Sequence, residues 1–173
     1  MNDLEPLLEG WANFYVITSA AAATLIGLLF VVITLAAERR MDDAAKIHVY
    51  LTPTVVYLAS ILVVAALLTF PNQTRLTATL CICIMGVLGL VYSGSVFFGG
   101  DKKSYVERRD LIPYAGLPFA SFGLHVLGGI LLLHDSQRGL TFLAVGMLSL
   151  LVIAIRNSWA IAVGIVSVRP DRH

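Results

Sequence analysis

The sequence predicts an all-α integral membrane protein, a bundle of five transmembrane helices with its N-terminus outside the membrane and its C-terminus in the cytoplasm. Three observations predict this: the composition, the lengths of the apolar runs and the placement of basic residues. Of 173 residues, 58% are hydrophobic and 13% charged, against about 25% charged in a typical soluble domain, and the mean hydropathy is +0.84. A net charge of +1 offers no basic field for nucleic acid. The apolar runs leave no room for a separate water-soluble domain, so residues 1–173 read as one transmembrane domain.

A helix needs about 20 apolar residues to cross a bilayer. The first run, 14–37, follows a flank that carries Asp3, Glu5 and Glu9. It is too long and its flank too acidic for a cleaved signal peptide. Ahead of it, Leu4, Leu7, Leu8 and Trp11 recur at helical spacing and predict a small amphipathic helix lying on the outer surface. The second and third runs, 51–70 and 76–98, are separated by Pro71-Asn72-Gln73-Thr74, a polar turn that also matches a glycosylation pattern. The fourth and fifth, 112–134 and 140–168, are separated by Asp135-Ser136-Gln137-Arg138-Gly139. Turns this short make spans two and three, and four and five, antiparallel neighbours. Pro53 and Pro118 are positions where spans two and four are able to kink.

Orientation follows from the basic residues. Arg39, Arg40, Lys46, Lys102, Lys103, Arg108, Arg109, Arg169 and Arg172 fall on one side and only Arg75 and Arg138 on the other, and the richer side is cytoplasmic. Trp11, Phe14, Tyr15, Phe70 and Phe142 fit an outer aromatic belt, and Tyr50, Phe97, Phe98, Tyr114 and Trp159 an inner one. Within the cytoplasmic loops, Asp42 and Lys46 are spaced for an ion pair. Ser104-Tyr105-Val106-Glu107 has the form of a capping box, opening a surface helix that carries Arg108 and Arg109 toward anionic headgroups or a protein partner.

Helices in lipid associate through small residues and interhelical hydrogen bonds. Span one supplies Ala20, Ala23, Thr24 and Gly27, span three Gly86 and Gly89, and span four Gly123, Gly128 and Gly129. Small faces on three helices exceed what one five-helix monomer requires, so at least one is expected to join subunits of a homo-oligomer.

The ionisable residues inside the spans are His125 and Arg156, and such residues are functional candidates by default. Ser121 shares the His125 face one turn away. The alternatives for His125 are a hydrogen bond to a neighbouring helix, a water-lined or pH-switched path, and cofactor ligation. Haem would need a facing His at the same depth, and His134 lies on the same span, so no cofactor is expected. Arg156 reads as snorkelling to the inner surface beside Trp159, or as a cationic ring in an oligomeric pore. No carboxylate lies in any span, which argues against a proton-coupled transporter. Cys81 and Cys83 point to nearly opposite sides of their helix and cannot share a metal. Ser121 with His125 is a plain i,i+4 pair, so an enzyme is not expected and no catalytic residue is assigned.

Trp11-Ala12-Asn13-Phe14, Ser19 to Ala23, Thr24 to Val31 and the late Arg156-Asn157-Ser158-Trp159 resemble a group of uncharacterised small multi-pass bacterial membrane proteins. The resemblance implies a bacterial inner-membrane protein and carries over no activity, ligand or catalytic residue. The first expectation is therefore a non-enzymatic, self-associating scaffold or accessory subunit, in contact with membrane lipids and with a further membrane protein as a possible partner. The alternatives are a small homo-oligomeric channel lined by the His125 face or by Arg156, and a transporter or lipid-handling protein using a groove beside span four.

Overall fold

The structure, a computed structural model, describes residues 4–38, 44–99 and 116–167. They form five α-helices and no strand: α1 (Glu5–Glu38), α2 (Ala44–Leu68), α3 (Arg75–Gly99), α4 (Leu117–Leu131) and α5 (Ser136–Ser167). Four of these, α1, α2, α3 and α5, contain stretches long and apolar enough to cross a membrane: Pro6–Leu35, Leu51–Leu68, Arg75–Val96 and Ser136–Val163. The 15 residues of α4 rise about 22 Å, short of a full crossing, and residues 112–115 of the expected fourth span lie outside the described ones. So do Asp42 of the expected Lys46 pair and the expected surface helix at Ser104 to Glu107.

Several boundaries differ from the expectation for identifiable reasons. The amphipathic segment at Leu4 to Trp11 is not a separate surface helix, because α1 runs unbroken from Glu5. Leu4 is fully buried, and Leu7, Leu8 and Trp11 pack against the core; their stripe extends the buried stripe of α1 through Tyr15, Thr18, Ala22 and Leu29. Tyr15, expected in the outer belt, is 0% exposed, whereas Phe70 and Trp159 stand well out from the bundle. The second polar turn is shorter than expected, since α5 already begins at Ser136. Asp135 caps it by accepting the Arg138 amide at 3.1 Å. Pro118 sits in the first turn of α4, where its missing N–H costs nothing, and Pro53 is accommodated inside α2.

The turn between α2 and α3 is fixed by its own polar groups. Asn72 takes φ 58°, a left-handed conformation that asparagine tolerates. Gln73 Nε2 donates to the Leu67 carbonyl at 2.6 Å, and Thr74 and Thr77 cap each other's amides. Both short turns lie at one end of the bundle, here the turn end; the opposite end is the loop end.

The helices do not pack simply in chain order. The tightest pairs are α4 with α5 and α3 with α4, while α1 lies across α2 and α5. Although a short turn joins α3 to α2, α3 leans mainly on α4. Phe122 explains this: its ring lies over Gly89 of α3 and 6.1 Å from the Tyr57 ring of α2, a wedge between the two. α2 and α5 form the centre, with 56% and 50% of positions buried in their most apolar windows, against 17% for α1. α1 is thus peripheral and buries one stripe only.

Candidate functional site

His125 sits where α3, α4 and α5 meet and is 1% exposed. Two glycines make room for it. A Cβ on Gly146 of α5 would stand 2.8 Å from the imidazole Nδ1 and Cε1, and one on Gly86 of α3 would stand 3.4 Å from the His125 Cβ. The Nδ1 atom lies 2.8 Å from the Ser121 carbonyl oxygen. A carbonyl only accepts, so Nδ1 carries the proton, and in the neutral ring Nε2 is then a lone-pair acceptor. Nε2 is buried and has no hydrogen-bond partner among the described residues. The face of His125 that the sequence left open therefore meets protein, with the Phe122 ring 5.9 Å from the imidazole.

Ser121 shares that face as expected, yet its hydroxyl donates to the Leu117 carbonyl at 2.9 Å and leaves the imidazole to the Ser121 backbone. The two side chains do not form a nucleophile–base pair in this geometry. Cys83 Sγ lies 3.8 Å from the Val126 carbonyl in the α3–α4 seam, and both cysteines are free thiols. Among the described residues no group of three or more His, Cys, Asp or Glu is placed to hold a metal ion.

Arg156 is exposed and lies 20 residues beyond the start of α5, about 30 Å along its axis. It therefore sits toward the loop end, and Trp159, one turn on, is 72% exposed. The next residue, Asn157, points the other way: it is 2% exposed, and its Nδ2 has no partner among the described residues. At the turn end, a cleft of about 360 Å³ opens between α1 and the α2–α3 turn, with Leu8, Glu9 and Ala12 on one wall and Leu68 to Gln73 on the other. It lies away from the α3–α4 contact, where Phe122 and Val126 pack against Gly89 and Gly86.

The small residues divide into two groups. Gly86, Gly89, Gly128 and Gly129 are consumed inside the subunit. A Cβ at Gly86 would strike Val126, at Gly89 the Phe122 ring, at Gly128 Leu143 and the Gly139 carbonyl, and at Gly129 the Cys83 sulfur. Ala20, Ala23, Thr24 and Gly27 of α1 are all exposed. A Cβ on Gly27 would meet nothing within 4 Å, and the same holds for Gly123 of α4. Thr24 folds its hydroxyl back onto the Ala20 carbonyl at 2.8 Å, which satisfies its polar group within α1.

Sequence reasoning missed Gly139 and Gly146, which give α5 its own close-contact face; their spacing of two helical turns was the available signal. It also missed Phe122 and Tyr57, since aromatic residues in apolar runs carry no periodic mark of their partners. Comparison with protein-family models, with curated proteins and with solved structures found no match.

Proposed function

We propose that the protein is a bacterial inner-membrane scaffold or accessory subunit that self-associates through the outward face of α1, with the turn end outside and the loop end in the cytoplasm. The observation that carries this reading is the exposed set Ala20, Ala23, Thr24 and Gly27 on the least buried of the four long helices. Close approach of two helix backbones through such a face gains dispersion contact that lipid tails do not match. The i, i+3, i+4, i+7 spacing places all four residues on one side.

The test is energy transfer between donor- and acceptor-labelled copies in lipid vesicles as protein is diluted with lipid. Wild type is expected to show transfer that persists on dilution, and Gly27→Leu to lower it about tenfold in apparent affinity, equivalent to about 1.4 kcal/mol. Equal transfer in the two proteins would remove the α1 face from the reading. Transfer no greater than random proximity in wild type would remove self-association altogether.

A second reading, a homo-oligomeric pore ringed by Arg156, draws support from the exposure of that residue toward the loop end. It predicts conductance in planar bilayers with anion selectivity that Arg156→Ala abolishes. Silence at verified insertion would end it.

A further inference from the structure

We propose that His125 is an acid-sensitive latch on the seam of α3, α4 and α5: proton uptake at Nε2 loosens α4 from its neighbours and further exposes Cys83, which is half-buried in that seam. A hydrogen bond fixes the ring. Nδ1 is committed as donor to the Ser121 carbonyl, so the atom left to take a proton is Nε2, which is buried without a partner among the described residues. A proton there creates a cation in a closely packed junction, and a buried charge without a counter-charge is among the costliest features a core can hold.

The surroundings offer no anion among the described residues. From α3 the nearest titratable group is Cys83, one turn from Gly86; from α2 it is Tyr57, beyond the Phe122 ring. α1 contributes Tyr15 to the bundle interior. α5 presents Gly146, and its cations Arg138 and Arg156 lie 8 and 10 residues from that glycine, about two and three turns away. Arg138 is paired with Asp135 at 3.1 Å. Just beyond the end of α4, in the turn to α5, His134 is exposed. Nothing in this set compensates an imidazolium where the ring now lies.

The ring also has no slack. Gly146 closes against Nδ1 and Cε1 and Gly86 against Cβ, so a hydrating water has to enter by displacing α4. Opening lets Nε2 take up a proton and the closed seam does not, so acid favours the open arrangement, by up to about tenfold for each pH unit for a single linked proton. Cys83 is a reporter already in place, its sulfur lying over Gly129 in the same seam.

The experiment uses the full chain in lipid nanodiscs with Cys81→Ala, leaving Cys83 as the one thiol, and a dipyridyl disulfide as a probe that reacts with thiols in mild acid as well as at neutrality. Between about pH 7 and about pH 5, the window of imidazole chemistry, the Cys83 labelling rate is expected to rise at least tenfold. The rise should be absent in His125→Gln and in His125→Phe. A flat wild-type profile, or an equal rise in either variant, overturns the proposal. Nitrogen NMR of the imidazoles in the unsubstituted protein keeps it testable if both variants misfold. The His125 imidazolium signal must grow in step with labelling, and labelling that rises without it overturns the latch.

Discussion

The seam of α3, α4 and α5 and the outward face of α1 are built from the same kinds of residue and used in opposite ways. In the seam, each of Gly86, Gly89, Gly128, Gly129, Gly139 and Gly146 has a neighbour where its Cβ would be. On α1, Ala20, Ala23, Thr24 and Gly27 face outward, and among the described residues nothing lies within 4 Å of where a Gly27 Cβ would be. Small residues at helical spacing thus mark a surface that permits close approach. Whether a partner comes from the same chain depends on where the rest of the fold places that surface.

The largest effect expected from breaking the comparison is at Gly128, whose missing side chain faces the Gly139 carbonyl, backbone that cannot give way. Gly128→Val should cost about 3 kcal/mol, the upper end for forced overpacking, read as a fall in thermal midpoint in detergent. At Gly89 the obstacle is the Phe122 ring, which can be changed. Gly89→Ala should cost about 2 kcal/mol, and Phe122→Leu in the same chain should recover part of it, a non-additivity confined to neighbours. Additive losses would show that Phe122 is not the wedge.

The capping of the seam at its turn end is a smaller term. Asp135→Ala removes the acceptor of the Arg138 amide and should cost about 1 kcal/mol. The smallest stability effect is at Gly27, and its sign is the informative part. Leucine at this exposed helical site should leave the subunit unchanged or more stable, by up to about 0.8 kcal/mol from helix propensity, while weakening association. A loss of subunit stability like that at Gly128 would erase the distinction between the two faces.

Much of this architecture was legible in the sequence. The long apolar runs matched α1, α2, α3 and α5 to within a few residues at most of their ends, because continuous apolar stretches of this length suit a helix and are too long for a strand. The small faces were legible as well, but not their allocation. Gly128 and Gly27 sit in similar local sequence and differ only in tertiary surroundings. The continuity of α1 from Glu5 was missed because amphipathic spacing at Leu4 to Trp11 is the same whether that face meets headgroups or the α2–α3 turn. His125 was found by its rarity, yet its Nδ1 bond to Ser121 and the two glycines around it depend on α3 and α5 coming together, which no local pattern records. Arg156 and Asn157 are adjacent in sequence and lie on opposite sides of α5. Polarity marked both and separated neither.

Disulfide trapping in the native membrane decides whether copies of this chain meet on α1. Single cysteines are placed at successive positions from Val16 to Val31 in a background with Cys81 and Cys83 replaced by serine. Dimer bands are expected with helical periodicity, strongest for Ala20→Cys, Ala23→Cys, Thr24→Cys and Gly27→Cys and absent for Ala22→Cys, whose side chain is buried in the subunit. Uniform weak trapping along the helix, or a maximum at the opposite phase, would contradict it.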